Sequence, residues 1–100
     1  MKFRKKSILT AHRYVEGMED CWVVVDLNGH IQYTSTQMGD AETWLHDNQP
    51  ISAQVKPAVY SREGAIPINE DSWIAEDGQF HYPIEDSYMR ENYELYASDE

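Results

Sequence analysis

Among its 100 residues the chain has a single cysteine, five glycines scattered one at a time, and no apolar run longer than Cys21-Trp22-Val23-Val24-Val25. Each scarcity excludes something. One thiol cannot close an internal disulfide or share a zinc ion with a second, which fits a reducing compartment. A five-residue run is far below the ~20 apolar residues a membrane helix needs, and Met1-Lys2-Phe3-Arg4-Lys5 lacks the apolar core of a signal peptide. The expectation is a cytoplasmic protein without membrane contact. Lone glycines build no phosphate-cradling loop, and Ser35, Ser52, Ser61 and Ser72 lack the Gly-x-Ser-x-Gly context of an activated nucleophile. Neither enzymatic activity nor a cofactor is expected.

Positive charge is also scarce: eight Lys and Arg face eighteen Asp and Glu, a formal net charge of −10. The distribution is polar along the chain. Lys2, Arg4, Lys5, Lys6 and Arg13 lie in a stretch without acid, whereas residues 63 to 100 carry eleven acids against Arg90 alone. Such a field repels nucleic acid and attracts basic protein surfaces, although acidic faces commonly serve solubility only.

What is present suggests one α+β domain over residues 1 to 100. Apolar residues make up 41% and aromatics 12%, enough for a modest core. Alternation from Phe3 to Tyr14 predicts a strand with its basic half at a sheet edge. Trp22 to Leu27 reads as a strand covered on both faces, Asn28-Gly29 as a type I′ turn and His30 to Thr34 as the return strand. Ala41 to Asp47 predicts a short helix capped by Asp40, with Trp44 and Leu45 facing the core. Two further hairpins follow, Ala58 to Ser61 with Ala65 to Ile68 around Gly64, and Ser72 to Ala75 with Gln79 to Tyr82 around Gly78. A helical turn over Glu85 to Arg90 and a closing strand over Asn92 to Tyr96 complete a mostly antiparallel sheet with one or two short helices packed on it.

Met1-Lys2-Phe3-Arg4-Lys5-Lys6-Ser7 at one end, and Glu63-Gly64, Asp71-Ser72-Trp73-Ile74, Gly78-Gln79-Phe80-His81-Tyr82-Pro83, Tyr88 and Tyr93-Glu94 toward the other, resemble the small bacteriophage and prophage proteins of the PGDYG-motif type. Those proteins open with Met-x-Tyr/Phe-Arg-Lys-Lys-Pro and carry a Trp-Ile and Gly-x-Phe-x-x-Pro hairpin near the C-terminus. Ser7 stands where proline is usual, Asp71-Ser72 where Gly-Asp is usual, and residues 20 to 50 fall outside the likeness. The resemblance implies phage origin and a β-rich fold but supplies no catalytic residues. Its signature reads physically as turn glycines, sheet aromatics and a strand-ending proline.

Four histidines, His12, His30, His46 and His81, carry no paired metal-ligand spacing and are expected to be solvated or structural, so no metal is expected. Cys21 opens a buried strand, where thiols are inert. The acidic doublets Glu19-Asp20, Glu70-Asp71, Glu76-Asp77, Glu85-Asp86 and Asp99-Glu100 sit at turns and strand ends, where neighbours point to opposite faces and do not share a proton. A sharper reading takes Asp71, Glu76, Asp77, Glu85 and Asp86 as phosphate-like charges for the basic groove of a DNA-binding or host-defence complex, with Tyr88 and Tyr93 as contact aromatics. The preferred expectation is therefore a phage-encoded interaction protein that binds a host protein with a basic surface and no nucleic acid directly. Two alternatives stand beside it: a phage structural part that forms homo-oligomers, and a small enzyme or ligand-binding domain using His12 or His81.

Overall fold

A computed structural model describes residues 9–93. Its elements are β1 (Ala11–Arg13), β2 (Cys21–Val25), β3 (Ile31–Ser35), α1 (Met38–Asn48), β4 (Gln54–Ser61), β5 (Gly64–Pro67), β6 (Ser72–Asp77), β7 (Phe80–Glu85) and α2 (Asp86–Asn92). The α+β class and the antiparallel pairing are as the sequence predicts, but there are two sheets rather than one: β1-β6-β7 and β3-β2-β4-β5, with every described pair antiparallel.

The run Cys21-Trp22-Val23-Val24-Val25 is central in its sheet and covered on both faces, which is why alternation is absent from it. Cys21, Val23 and Val25 cluster with Ala58 of β4, against which Ala65 packs. Val24 pairs with Tyr33, whose ring stacks on Trp44 of α1 with centroids 5.6 Å apart. The helix sets Ala41, Trp44 and Leu45 toward the sheet at i, i+3 and i+4 spacing, and Ala41 is fully buried. A second cluster, Val59, Ile68 and Ile74 with Tyr14 and Met18 packed against it, joins the two sheets.

Several local expectations need correction. The described part of the first strand is only Ala11–Arg13, and residues 3 to 8 lie outside the described residues; the closing strand expected from Asn92 does not start there, because Asn92 ends α2, and its residues beyond Tyr93 lie outside the described residues. The first hairpin does not use a type I′ turn, because only Gly29, not Asn28, has positive φ (85°). Asp26 accepts from Gly29 N and donates its own N–H to His30 O, a type I turn closed by a left-handed glycine. The Asp26 carboxylate fixes the loop by accepting from Asn28 N and His30 N, both at 2.9 Å, and these bonds hold it below the usual aspartate range.

Helix α1 starts at Met38, one turn earlier than predicted, so Asp40 is a first-turn residue rather than the cap and accepts from Ser35 Oγ at 3.1 Å. Strand β4 starts before Pro57 rather than after it. Pro57 is tolerated because its carbonyl accepts from Ile68 N at 2.8 Å, so its missing N–H points to the β5 side, where pairing has already run out. Pro83 does not end β7 but lies within it, as an edge strand allows.

Candidate functional site

The β6–β7 hairpin separates the residues singled out from sequence. Ser72 pairs with Glu85 at one end and Asp77 with Phe80 at the other, five residues or about 17 Å away. Asp71, Glu85 and Asp86 therefore gather at one end with α2, and Glu76 and Asp77 at the opposite end.

At the α2 end Asp86 is the hub. Its carboxylate accepts from Trp73 Nε1 at 2.9 Å, Arg90 Nε at 2.7 Å and Arg13 Nη1 at 3.2 Å, while its amide donates to Asp71 O at 2.9 Å. The Trp73 bond, then Arg90 and Arg13, hold the Asp86 carboxyl below the usual range. Arg13 also reaches Asp71 Oδ1 at 3.2 Å and stands over the Trp73 ring, 5.7 Å from its centroid. Asp71 itself has φ 57°, a left-handed conformation that aspartate tolerates better than most residues. Glu70 and Glu85 have no cationic partner among the described residues. With Asp71, Asp86, Ser87 and Arg90 they line an open depression of about 400 Å³. Tyr88 on α2 and Tyr93 at its C-terminal cap are exposed, their ring centroids 6.4 Å apart at 52°.

At the other end Asp77 is held by a two-pronged bond from Arg62, Nε at 2.7 Å and Nη2 at 3.3 Å, which lowers the carboxyl and raises the guanidinium. Arg62 also covers the Phe80 ring at 5.2 Å, so this group ties the β4–β5 turn to the β6–β7 turn. Three of the five predicted contact carboxylates, Asp71, Asp77 and Asp86, are thus neutralised from within.

The histidines each meet a different acid. His30 lies 3.8 Å from Asp26, His46 3.4 Å from Asp47, and His12 3.7 Å from Glu76. His81 faces Glu76 across β6–β7 but turns Nδ1 to Asp20 Oδ2 at 3.0 Å, an oxygen that also accepts Tyr60 N at 2.9 Å. Among the described residues no group of three or more metal-ligating side chains forms. Burial pushes the Cys21 thiol up, with the Tyr60 hydroxyl opposing part of the shift, so it is an unreactive core group. No helix among the described residues is long and apolar enough to cross a membrane.

Sequence reasoning missed Arg13, Arg62, Trp73 and Asp20 as organisers. Only the i, i+4 pair Asp86–Arg90 had a local signal; Arg13, Arg62, Trp73 and Asp20 meet their partners across 58, 15, 13 and 61 residues of chain, distances at which sequence spacing carries no information.

What fold and site together define is a small two-sheet α+β protein whose arginines pair part of its acidic surface at both ends of the β6–β7 hairpin and leave Glu70 and Glu85 without a described cation at the α2 end. Comparison with family models, with curated proteins and with solved structures yields no match.

Proposed function

We propose that this chain is a phage-type acidic interaction protein that binds a basic surface of a host protein and modulates it, using the α2 end as its contact face. The observation that carries this reading is that Glu70 and Glu85, free of cations among the described residues, lie at the end of the β6–β7 hairpin that leads into α2, the helix that bears Tyr88 and is capped by Tyr93, both exposed. Unpaired carboxylates give long-range attraction and orientation, and tyrosines add contact area at small entropic cost. The narrower form of the proposal, mimicry of a DNA backbone, would draw on Glu70 and Glu85 more than on Asp77 or Asp86, whose charge is already used internally.

Capture of bacterial host proteins on immobilised chain, compared with an E70Q/E85Q variant, tests the reading. A specific partner should be retained at low salt, fall away as the Debye length shortens from about 10 Å to about 3 Å, and be lost with the double variant. Retention of the same partner by E70Q/E85Q sinks the proposal.

One observation favours self-association as a second reading. Leu27 to Gly39 is the longest stretch without Asp, Glu, Lys or Arg, and it includes the edge strand β3. Two copies of a chain with net charge −10 would meet there with least repulsion. Light scattering at micromolar protein decides it: a mass of 11.7 kDa dismisses the reading and twice that mass supports it.

A further inference from the structure

The two strands of the β4–β5 hairpin differ in length: β4 runs from Gln54 to Ser61, but β5 covers only Ala58 to Ser61. Past Pro67 the chain leaves the sheet after one more bond, Ile68 N to Pro57 O, and a notch opens beside Gln54 to Pro57. Alternate residues of an antiparallel strand direct their polar groups to the same neighbour. Val59 and Pro57 face β5, so the N–H and C=O of Val55 face the notch, and no described backbone group bonds them.

Next to the notch lies a crevice of about 680 Å³ whose lining includes Tyr14, Lys56, Pro57, Ile68, Asn69 and Glu70, within the size range of small-ligand sites. Two of its charges matter. Lys56 is half-buried and bonded to Asn69 Oδ1, and it is the one described cation without a carboxylate at ion-pair distance, since Arg13, Arg62 and Arg90 are all paired. Glu70, which also lines the crevice, is likewise without a described cation, and these two opposite charges share it without joining. Pro57 and Ile68 supply an apolar floor and Tyr14 an aromatic side. The Tyr14 hydroxyl is engaged by Glu19 at 2.7 Å and, through burial and that bond, titrates well above the usual tyrosine range.

From this arrangement we infer that the crevice binds an α-carboxylate bearing an adjacent nitrogen and an apolar side chain. The carboxylate sits on Lys56, the nitrogen on Glu70, and the side chain on Pro57 and Ile68. A free amino acid and the C-terminal residue of an extended peptide share that chemistry. The crevice shares Glu70 and Asp71 with the α2 end, but it is probed through Lys56, which that face does not include.

Amide-resolved NMR titration of the whole chain with leucine, N-acetyl-leucine and leucinamide tests it. Saturable shifts at Lys56, Ile68 and Asn69 are expected with dissociation constants on the order of millimolar. Leucinamide, lacking the anion, should bind about tenfold more weakly or not at all. If leucine binds and N-acetyl-leucine does not, the site takes free amino acids; if both bind, it takes peptide ends. K56Q should abolish the shifts and K56R preserve them, with unchanged spectra elsewhere showing that both variants fold. Absence of saturable shifts with either carboxylate, equal binding of leucinamide, or unaltered binding by K56Q overturns the inference.

Discussion

At the scale of single residues, the carboxylates divide by what they touch. Asp86 is a structural group: it holds Trp73, Arg90 and Arg13 together and fixes the start of α2 against the Asp71 carbonyl. Because its folded-state pKa lies below the unfolded value, the stability it adds is complete above the ordinary aspartate range and is lost as pH falls through the folded-state value. Asp26 and Asp77 are depressed in the same direction by the His30 amide and by Arg62 respectively. Thermal melts should therefore show Tm falling on acidification within and below that range, with D86N already lowered at neutral pH and less sensitive to acid. An acid profile identical in D86N and the parent would deny Asp86 this role. Cys21 should resist a thiol reagent in the native chain and react at once in denaturant, since burial holds it as a thiol.

Between elements, the two sheets meet through few side chains, and Val59, Ile68 and Ile74 form the seam. Truncation of Ile74 to alanine should cost about 2–5 kcal/mol, readable in denaturant unfolding, because it removes a buried branched side chain at that junction. A loss below 0.5 kcal/mol would mean that the sheets do not depend on the seam. At the first hairpin, Gly29 has open space around it but φ 85°, so Gly29→Ala should cost roughly 1–2 kcal/mol from backbone strain alone.

These elements also show how far sequence reaches. All three hairpins and both helices are legible, because turn glycines and apolar spacing are local signals. The division into two sheets is not, since β1 finds β6 and β4 finds β2 only through long-range pairing. Nor is the turn type at Gly29 legible from Asn-Gly, because the Asp26 carboxylate selects a different loop. The candidate site divides likewise. Glu85, Asp86, Tyr88, Arg90 and Tyr93 are near one another in sequence, whereas Glu70, Lys56, Arg13 and Arg62 are brought in by the fold.

Across the whole molecule, fifteen carboxylates face four cations within residues 9–93, so the net field is negative and a basic partner is drawn toward it from a distance. The arginines decide which part of that field stays available for contact: Arg62 closes one end of the β6–β7 hairpin, and Arg13 with Arg90 leave Glu70 and Glu85 open at the other. Hydrogen exchange of the chain with and without a captured host partner reads the contact face directly. Slowed exchange confined to residues 69–72 and 85–93 is the predicted footprint, and slowing along β3 with no change at α2 would contradict it.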